Sequence, residues 1–228
     1  MIYICEYDNL AEDRILQERL TTLLLQYKDT DLTGIRWQKL RQRLLARLLL
    51  DFALRSEYGL TLPELDLRRG EKGKPYSGAH PEIHFNISHC STACACITGN
   101  EQAGIDVERK FPYRENLARR ICHPKEWEVL QALEPDRRDE QLHFLWSLKE
   151  SFVKWNGEGI TYGMDRINLA KYLPVRLLPG QSRRMGGFLL YHTDSFTLAA
   201  HAEKLPEEIH YKKEKDLLQV CGVQSRKG

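Results

Sequence analysis

Positions 2–7 are almost all β-branched, aromatic or otherwise apolar, with no glycine or proline among them, and predict a first strand. Leu16, Leu20, Leu23, Leu24 and Tyr27 then recur at three- and four-residue intervals, one face of a helix over 11–28, which residues 29–34 break. Trp37, Leu40, Leu44, Leu48 and Phe52 keep the same spacing through a second helix over 35–58. Residues 68–81, rich in glycine, proline and charge, read as a loop. Short apolar runs at 83–87, 92–98 and 104–108, separated by 88–91 and Gly99-Asn100, read as antiparallel strands. Past 108 the order starts again, with helices near 115–122, 125–133 and 139–156 and strands near 173–178, 188–191 and 196–201. Few helices among short strands make an α+β fold, and the restart suggests two halves, 1–103 and 104–228, without a residue-level repeat. The charged tail from about 206 is expected to be peripheral.

Composition changes this picture little. The 228 residues, 42% hydrophobic and 29% charged, suit a globular protein with a sizeable core and exclude disorder and collagen-like repeats. With 34 basic and 32 acidic residues the net charge of +2 gives no strong pull toward nucleic acid or an anionic membrane, so any basic patch is local. One such patch is the second helix, where Arg36, Lys39, Arg41, Arg43 and Arg47 surround the apolar stripe: either a solvated face or a seat for a phosphate-rich ligand. No apolar run reaches membrane-spanning length and residues 1–7 carry no leader pattern, so the expected location is the cytoplasm. The six cysteines lack paired CxxC spacing. Cys90, Cys94 and Cys96 lie near His84 and His89, but Cys94 and Cys96 alternate with alanines in a strand-like run, which favours small core hydrophobes over a metal cluster.

Four short segments carry candidate chemistry. In Gly104-Ile105-Asp106-Val107-Glu108 the two carboxylates are two residues apart, hence on one face of a strand, a pair that suits magnesium but is common without it. In Trp146-Ser147-Leu148-Lys149-Glu150-Ser151-Phe152-Val153-Lys154, on a helix that Asp139 could cap and Gly157 could end, Glu150 and Lys154 share a face opposite Leu145, Leu148, Phe152 and Trp155; an exposed ion pair would look the same. Phe85-Asn86-Ile87-Ser88-His89 offers a hydroxyl and an imidazole at a strand end, without the nucleophile elbow of a hydrolase. Gly73-Lys74-Pro75-Tyr76 puts a lysine on a stiff loop.

These four motifs, taken in chain order from Gly73-Lys74-Pro75-Tyr76 to the Trp146–Lys154 segment, with the likeness running over about residues 40 to 169, resemble the phosphopantetheinyl transferase superfamily, in its long, two-half type that activates peptide synthetases. The resemblance implies two pseudo-symmetric halves, each a small antiparallel sheet packed on helices, with the active site between them. It implies transfer of the phosphopantetheine arm of coenzyme A to a serine of an apo acyl- or peptidyl-carrier protein, releasing adenosine 3',5'-bisphosphate with the help of Mg²⁺. Asp106, Glu108 and Glu150 match the metal ligands, Lys154 the residue that neutralises the diphosphate, and Lys149 a neighbour of the leaving phosphate. Lys74, Ser88 and His89 match contacts to coenzyme A phosphates. Glu126, after Pro124, matches a carboxylate proposed to help deprotonate the serine. Where the family commonly has an arginine this chain has Gln42, so Arg41 or Arg43 is expected to replace it.

The physical logic agrees, because breaking a phosphoanhydride leaves negative charge that a cation clamp stabilises, whereas three carboxylates without a cation repel one another. Two halves in one chain point to a monomer. The competing readings are a non-catalytic relative that only binds coenzyme A or a carrier protein, and a nucleic-acid module built on the basic helix, which the near-neutral total disfavours. Which carrier is served does not follow from these residues.

Overall fold

The computed structural model describes residues 1–7, 22, 36–159 and 162–220. The helix expected over 11–28 falls outside them except at Thr22, which is helical. The elements in order are β1 (Ile2–Glu6), α1 (Trp37–Tyr58), β2 (Leu67–Arg69), β3 (Pro75–Ser77), β4 (His84–His89), β5 (Ala93–Gly99), β6 (Ala103–Arg109), α2 (Glu115–Ile121), α3 (Pro124–Gln131), α4 (Pro135–Asn156), β7 (Ser182–Met185), β8 (Phe188–His192), β9 (Phe196–Ala202), β10 (Ile209–Lys213) and α5 (Glu214–Val220). This is the expected α+β architecture, with two four-stranded sheets, β10-β1-β5-β4 and β6-β9-β8-β7, and a separate β2-β3 ribbon.

The two-residue period of the strands sorts their side chains into layers. In the first sheet Tyr3, Cys5, Cys94 and Cys96 pack on the Trp37, Leu40, Leu44 and Leu48 face of α1, so the cysteines act as small hydrophobes. The opposite face, Ile2, Ile4, Ala93, Ala95 and Ile97, packs on Ile105, Val107, Leu198 and Ala200 of the second sheet. Leu190 and Ala199, on the far side of that sheet, pack on Leu142, Leu145 and Leu148 of α4. The layers therefore run α1, first sheet, second sheet, α4. The edge strands β4 and β6 meet at the join, where Asn86 Oδ1 accepts the Ile105 backbone N–H at 2.9 Å.

Three expectations are corrected. The tail is not peripheral: β10 pairs in parallel with β1, Ile2 opposite Ile209, and returns the chain to the first sheet. Leu217 and Leu218 join the core under α1, and the buried Glu214 accepts a bidentate ion pair from Arg41, with Nε to Oε1 at 2.8 Å. Residues 173–178 form no strand, because the Val175 N–H and C=O both bond the Gln141 side chain at 2.7 Å, a helix side chain standing in for a neighbouring strand. The edge strand is instead β7, which carries Arg183 and Arg184. Finally, α4 starts at Pro135 behind Glu134, and Asp139 caps nothing: its Oδ1 accepts the Tyr113 N–H at 2.9 Å. Gly157 ends the helix as expected, in the left-handed region at φ 74°.

Candidate active site at the join of the two sheets

Gly104, Asp106 and Glu108 occupy one face of β6, the face turned toward α4, while Ile105 and Val107 enter the core between the sheets. What lets the helix come close is Gly104. A Cβ there would stand 2.0 Å from the Ser151 carbonyl oxygen and 2.4 Å from the Trp155 nitrogen, so only hydrogen fits between strand and helix. The last turns of α4 are thereby pressed onto β6, and Lys154 reaches Asp106.

Three side chains close a triangle there. Lys154 Nζ donates to Asp106 Oδ1 and to Ser88 Oγ, each at 2.8 Å, and Ser88 Oγ donates to Asp106 Oδ1 at 3.1 Å. Asp106 Oδ2 is buried and has no partner. Glu150, also buried, and half-buried Glu108 complete the cluster. Burial first, then the charge of Asp106, pushes the Glu150 carboxyl up to about 7, and the same two causes raise Glu108. A set of oxygen donors that repel one another, with one buried lone-pair acceptor left over, fits a hard divalent cation. Among the described residues no three ligating side chains stand already arranged around one point.

His89 lies one residue past Ser88 on β4 and so points to the other face, toward α1. Surrounding protein first, then the positive charges of Lys154 and Arg43, hold its imidazole below the usual histidine value. Of the two arginines left open by the sequence, Arg43 is therefore the one whose charge is felt at His89. Arg41 is turned to Glu214 and also lies over the Tyr7 ring, 5.7 Å from its centroid, so its expected contact to coenzyme A is not supported.

Three other expected residues stand differently from their motif roles. Lys74 Nζ donates to Trp155 O at 2.9 Å, Gln102 Oε1 at 3.2 Å and Ala103 O at 3.4 Å, which fills its three donors and lays it across the end of α4. Burial lowers its ammonium to about 8. A cleft of about 440 Å³ opens beside it, lined by Arg68, Tyr76, His84, Phe85 and Gln102 among others. Lys149 and Glu126 are both fully buried and bonded to each other at 2.5 Å. Glu126 Oε2 also accepts the His123 N–H at 2.7 Å and Oε1 the Leu169 N–H at 2.6 Å, so neither oxygen is open to an incoming hydroxyl. Sequence reasoning missed this pairing, since 23 residues separate the partners and both belong to motifs read as chemistry. It also missed the packing role of Gly104, although a glycine directly before Ile105-Asp106 in a strand was a legible signal of close approach.

Residues 102–204 match the model of the 4'-phosphopantetheinyl transferase superfamily. Over 126 residues the chain is 36% identical to a 4'-phosphopantetheinyl transferase of Bacillus subtilis, covering 55% of this chain and 56% of that protein. It is 31% identical over 126 residues, with the same shares, to 4'-phosphopantetheinyl transferase Sfp of Bacillus subtilis strain 168. It is also 31% identical over 129 residues to the human L-aminoadipate-semialdehyde dehydrogenase-phosphopantetheinyl transferase, covering 50% of this chain and 41% of that one. The chain thus spans about half the length of the curated relatives it matches. The matched stretch is the one that folds into β6 and α4 and so holds every carboxylate of the cluster, and over that stretch the chain is similar to the 4'-phosphopantetheinyl transferase superfamily.

Proposed function

We propose that the protein transfers the 4'-phosphopantetheine arm of coenzyme A to a serine hydroxyl of an apo acyl- or peptidyl-carrier protein and releases adenosine 3',5'-bisphosphate. The observation that carries the reading is the Ser88–Asp106–Lys154 triangle beside Glu108 and Glu150, with the Asp106 Oδ2 buried and unpartnered. Such a cluster is understandable as half of a diphosphate site. Asp106, Glu108 and Glu150 would hold Mg²⁺, which when bound supplies a Lewis acid for the diphosphate. In the transfer, the serine oxygen bonds to the phosphorus that bears the pantetheine arm and gives up its proton to solvent, and that phosphorus loses its bond to the oxygen of the departing nucleotide, which keeps the electron pair.

Lys154 serves as the fixed positive charge facing the diphosphate, where charge builds on the leaving oxygen. Ser88 orients Lys154 and Asp106 and, with His89 and Arg43, lines the approach for the phosphates. A neutral His89 binds by hydrogen bonding and takes no part as a base. The cleft beside Lys74 suits the nucleoside end of coenzyme A, although a phosphate contact from Lys74 would require it to give up one of its three acceptors. We assign the protein to the cytoplasm, as a monomer, because one chain supplies residues from both sheets; no helix among the described residues is long and apolar enough to cross a membrane.

The test is mass spectrometry of an apo carrier protein incubated with coenzyme A, Mg²⁺ and this protein. The expected result is a gain of about 340 Da on the carrier, lost when the divalent cation is chelated. Coenzyme A bound with no gain on any of a panel of acyl- and peptidyl-carriers would leave a binding protein in place of an enzyme.

A further inference from the structure

We infer that the buried Lys149–Glu126 pair is a positioning latch that sets the rotation of α4, and through it the place of Glu150, and takes no direct part in the chemistry. The inference rests on the transferase reading above. Lys149 and Glu126 have no exposed surface. Lys149 Nζ has three N–H donors and spends them on Glu126 Oε2 at 2.5 Å, Ile121 O at 2.6 Å and Met164 O at 2.9 Å. Glu126 in turn takes the backbone N–H groups of His123 and Leu169. One ion pair therefore joins the end of α2, the start of α3, the middle of α4 and the segment 164–169.

The geometry of α4 gives this tie its consequence. Successive residues on a helix are turned by about 100°, so Lys149 and Glu150 project to neighbouring sides of the same turn. Fixing the Lys149 side fixes the direction of Glu150. The other flank is held where Gly104 admits the helix onto β6, at Ser151 in the same turn and at Trp155 one turn further along. The helix is thus clamped on two sides around the one carboxylate that it contributes to the cluster. A group that removes a proton from a serine hydroxyl needs hydrogen-bond reach to it, and Glu126 offers neither surface nor a vacant oxygen. A buried ion pair is seldom more stabilising than an apolar pair of the same shape, while a single buried charge left behind is strongly destabilising. That asymmetry separates a latch from a catalytic dyad.

The experiment compares wild type, Glu126→Gln, Lys149→Met and the double variant, each checked for cooperative thermal unfolding. For each, kcat, the KM for coenzyme A and the Mg²⁺ concentration giving half-maximal transfer are measured. Each single variant leaves one bare buried charge and is expected to lose about 100-fold in kcat, with a raised Mg²⁺ requirement and an unchanged KM for coenzyme A. The double variant removes both charges and is expected to recover to within about tenfold of wild type. If a single variant does not fold, the double variant is compared with wild type directly. A folded double variant as inactive as the worse single one overturns the inference, and so does a double variant that does not fold, since the pair would then specify the fold itself. A wild-type chain without transfer on any carrier defeats the transferase reading instead, a result separable from failed rescue in an active enzyme.

Discussion

Asp106 is the residue on which the cluster turns, because its Oδ1 already holds Lys154 and Ser88 while its Oδ2 has no partner. Asp106→Asn and Glu150→Gln are expected to lower transfer by about 100-fold or more while cooperative unfolding persists, measured by carrier mass gain and calorimetry. Glu150→Gln carries a second signature. A carboxyl raised to about 7 by folding contributes stability below its unfolded value, near 4.5, that is lost as pH rises toward 7. Without divalent cation, the glutamine variant should therefore melt higher than wild type at pH 7.5 and equal to it at pH 4. Gly104 is the second decisive residue. Gly104→Ala sets a methyl against two backbone atoms that have no free direction to move, and is expected to cost about 3 kcal/mol in denaturant unfolding, with transfer lost.

Among the elements, the long helices and the strands at 2–7, 83–87, 92–98 and 104–108 were legible because an apolar period survives any tertiary arrangement. The strand expected at 173–178 was not, because Val175 satisfies its backbone through Gln141, a partner that no local pattern announces. The same limit applied to α1. Its basic face held two candidate arginines two residues apart, pointing to nearly opposite sides of the helix, and only the packing of α5 shows that Arg41 is taken by Glu214. Arg41→Ala removes the bidentate cation from that buried carboxylate and is expected to cost about 3 kcal/mol in stability while leaving the affinity for coenzyme A unchanged. Arg43→Ala, beside His89, is expected to weaken coenzyme A binding about tenfold, with the loss shrinking at high salt. Titration calorimetry on both variants decides, and the opposite pattern would exchange the roles of the two arginines.

At the scale of the whole molecule, stability should fall off in mild acid. His143 is 2% exposed, its two ring nitrogens lack partners, and burial first, then His192 and Lys110, lowers it to about 4. Between its ordinary value near 6.5 and 4 the unfolded chain binds the proton that the folded one refuses. Stability is therefore complete above 6.5 and declines as pH falls through 4, by about 3 kcal/mol from this residue. His143→Phe, which keeps an aromatic edge against Phe111, should flatten urea-unfolding curves collected from pH 7 to 4.5; an unchanged slope would mean that His143 takes up its proton without unfolding.

The order of apolar and polar residues was enough to set the α+β class, the two long helices and the strand that puts Asp106 and Glu108 on one face, since each depends only on neighbours along the chain. The four ordered motifs were enough to indicate the resemblance that the family model matches over residues 102–204. Everything that turned on a distant partner was decided in three dimensions: β10 returning to β1, Arg41 meeting Glu214, and Lys149 closing on Glu126. Charge and hydrogen-bonding capacity belong to a residue, but the group that satisfies them is chosen by packing. A lysine in a motif reads the same whether it faces a phosphate or a buried carboxylate.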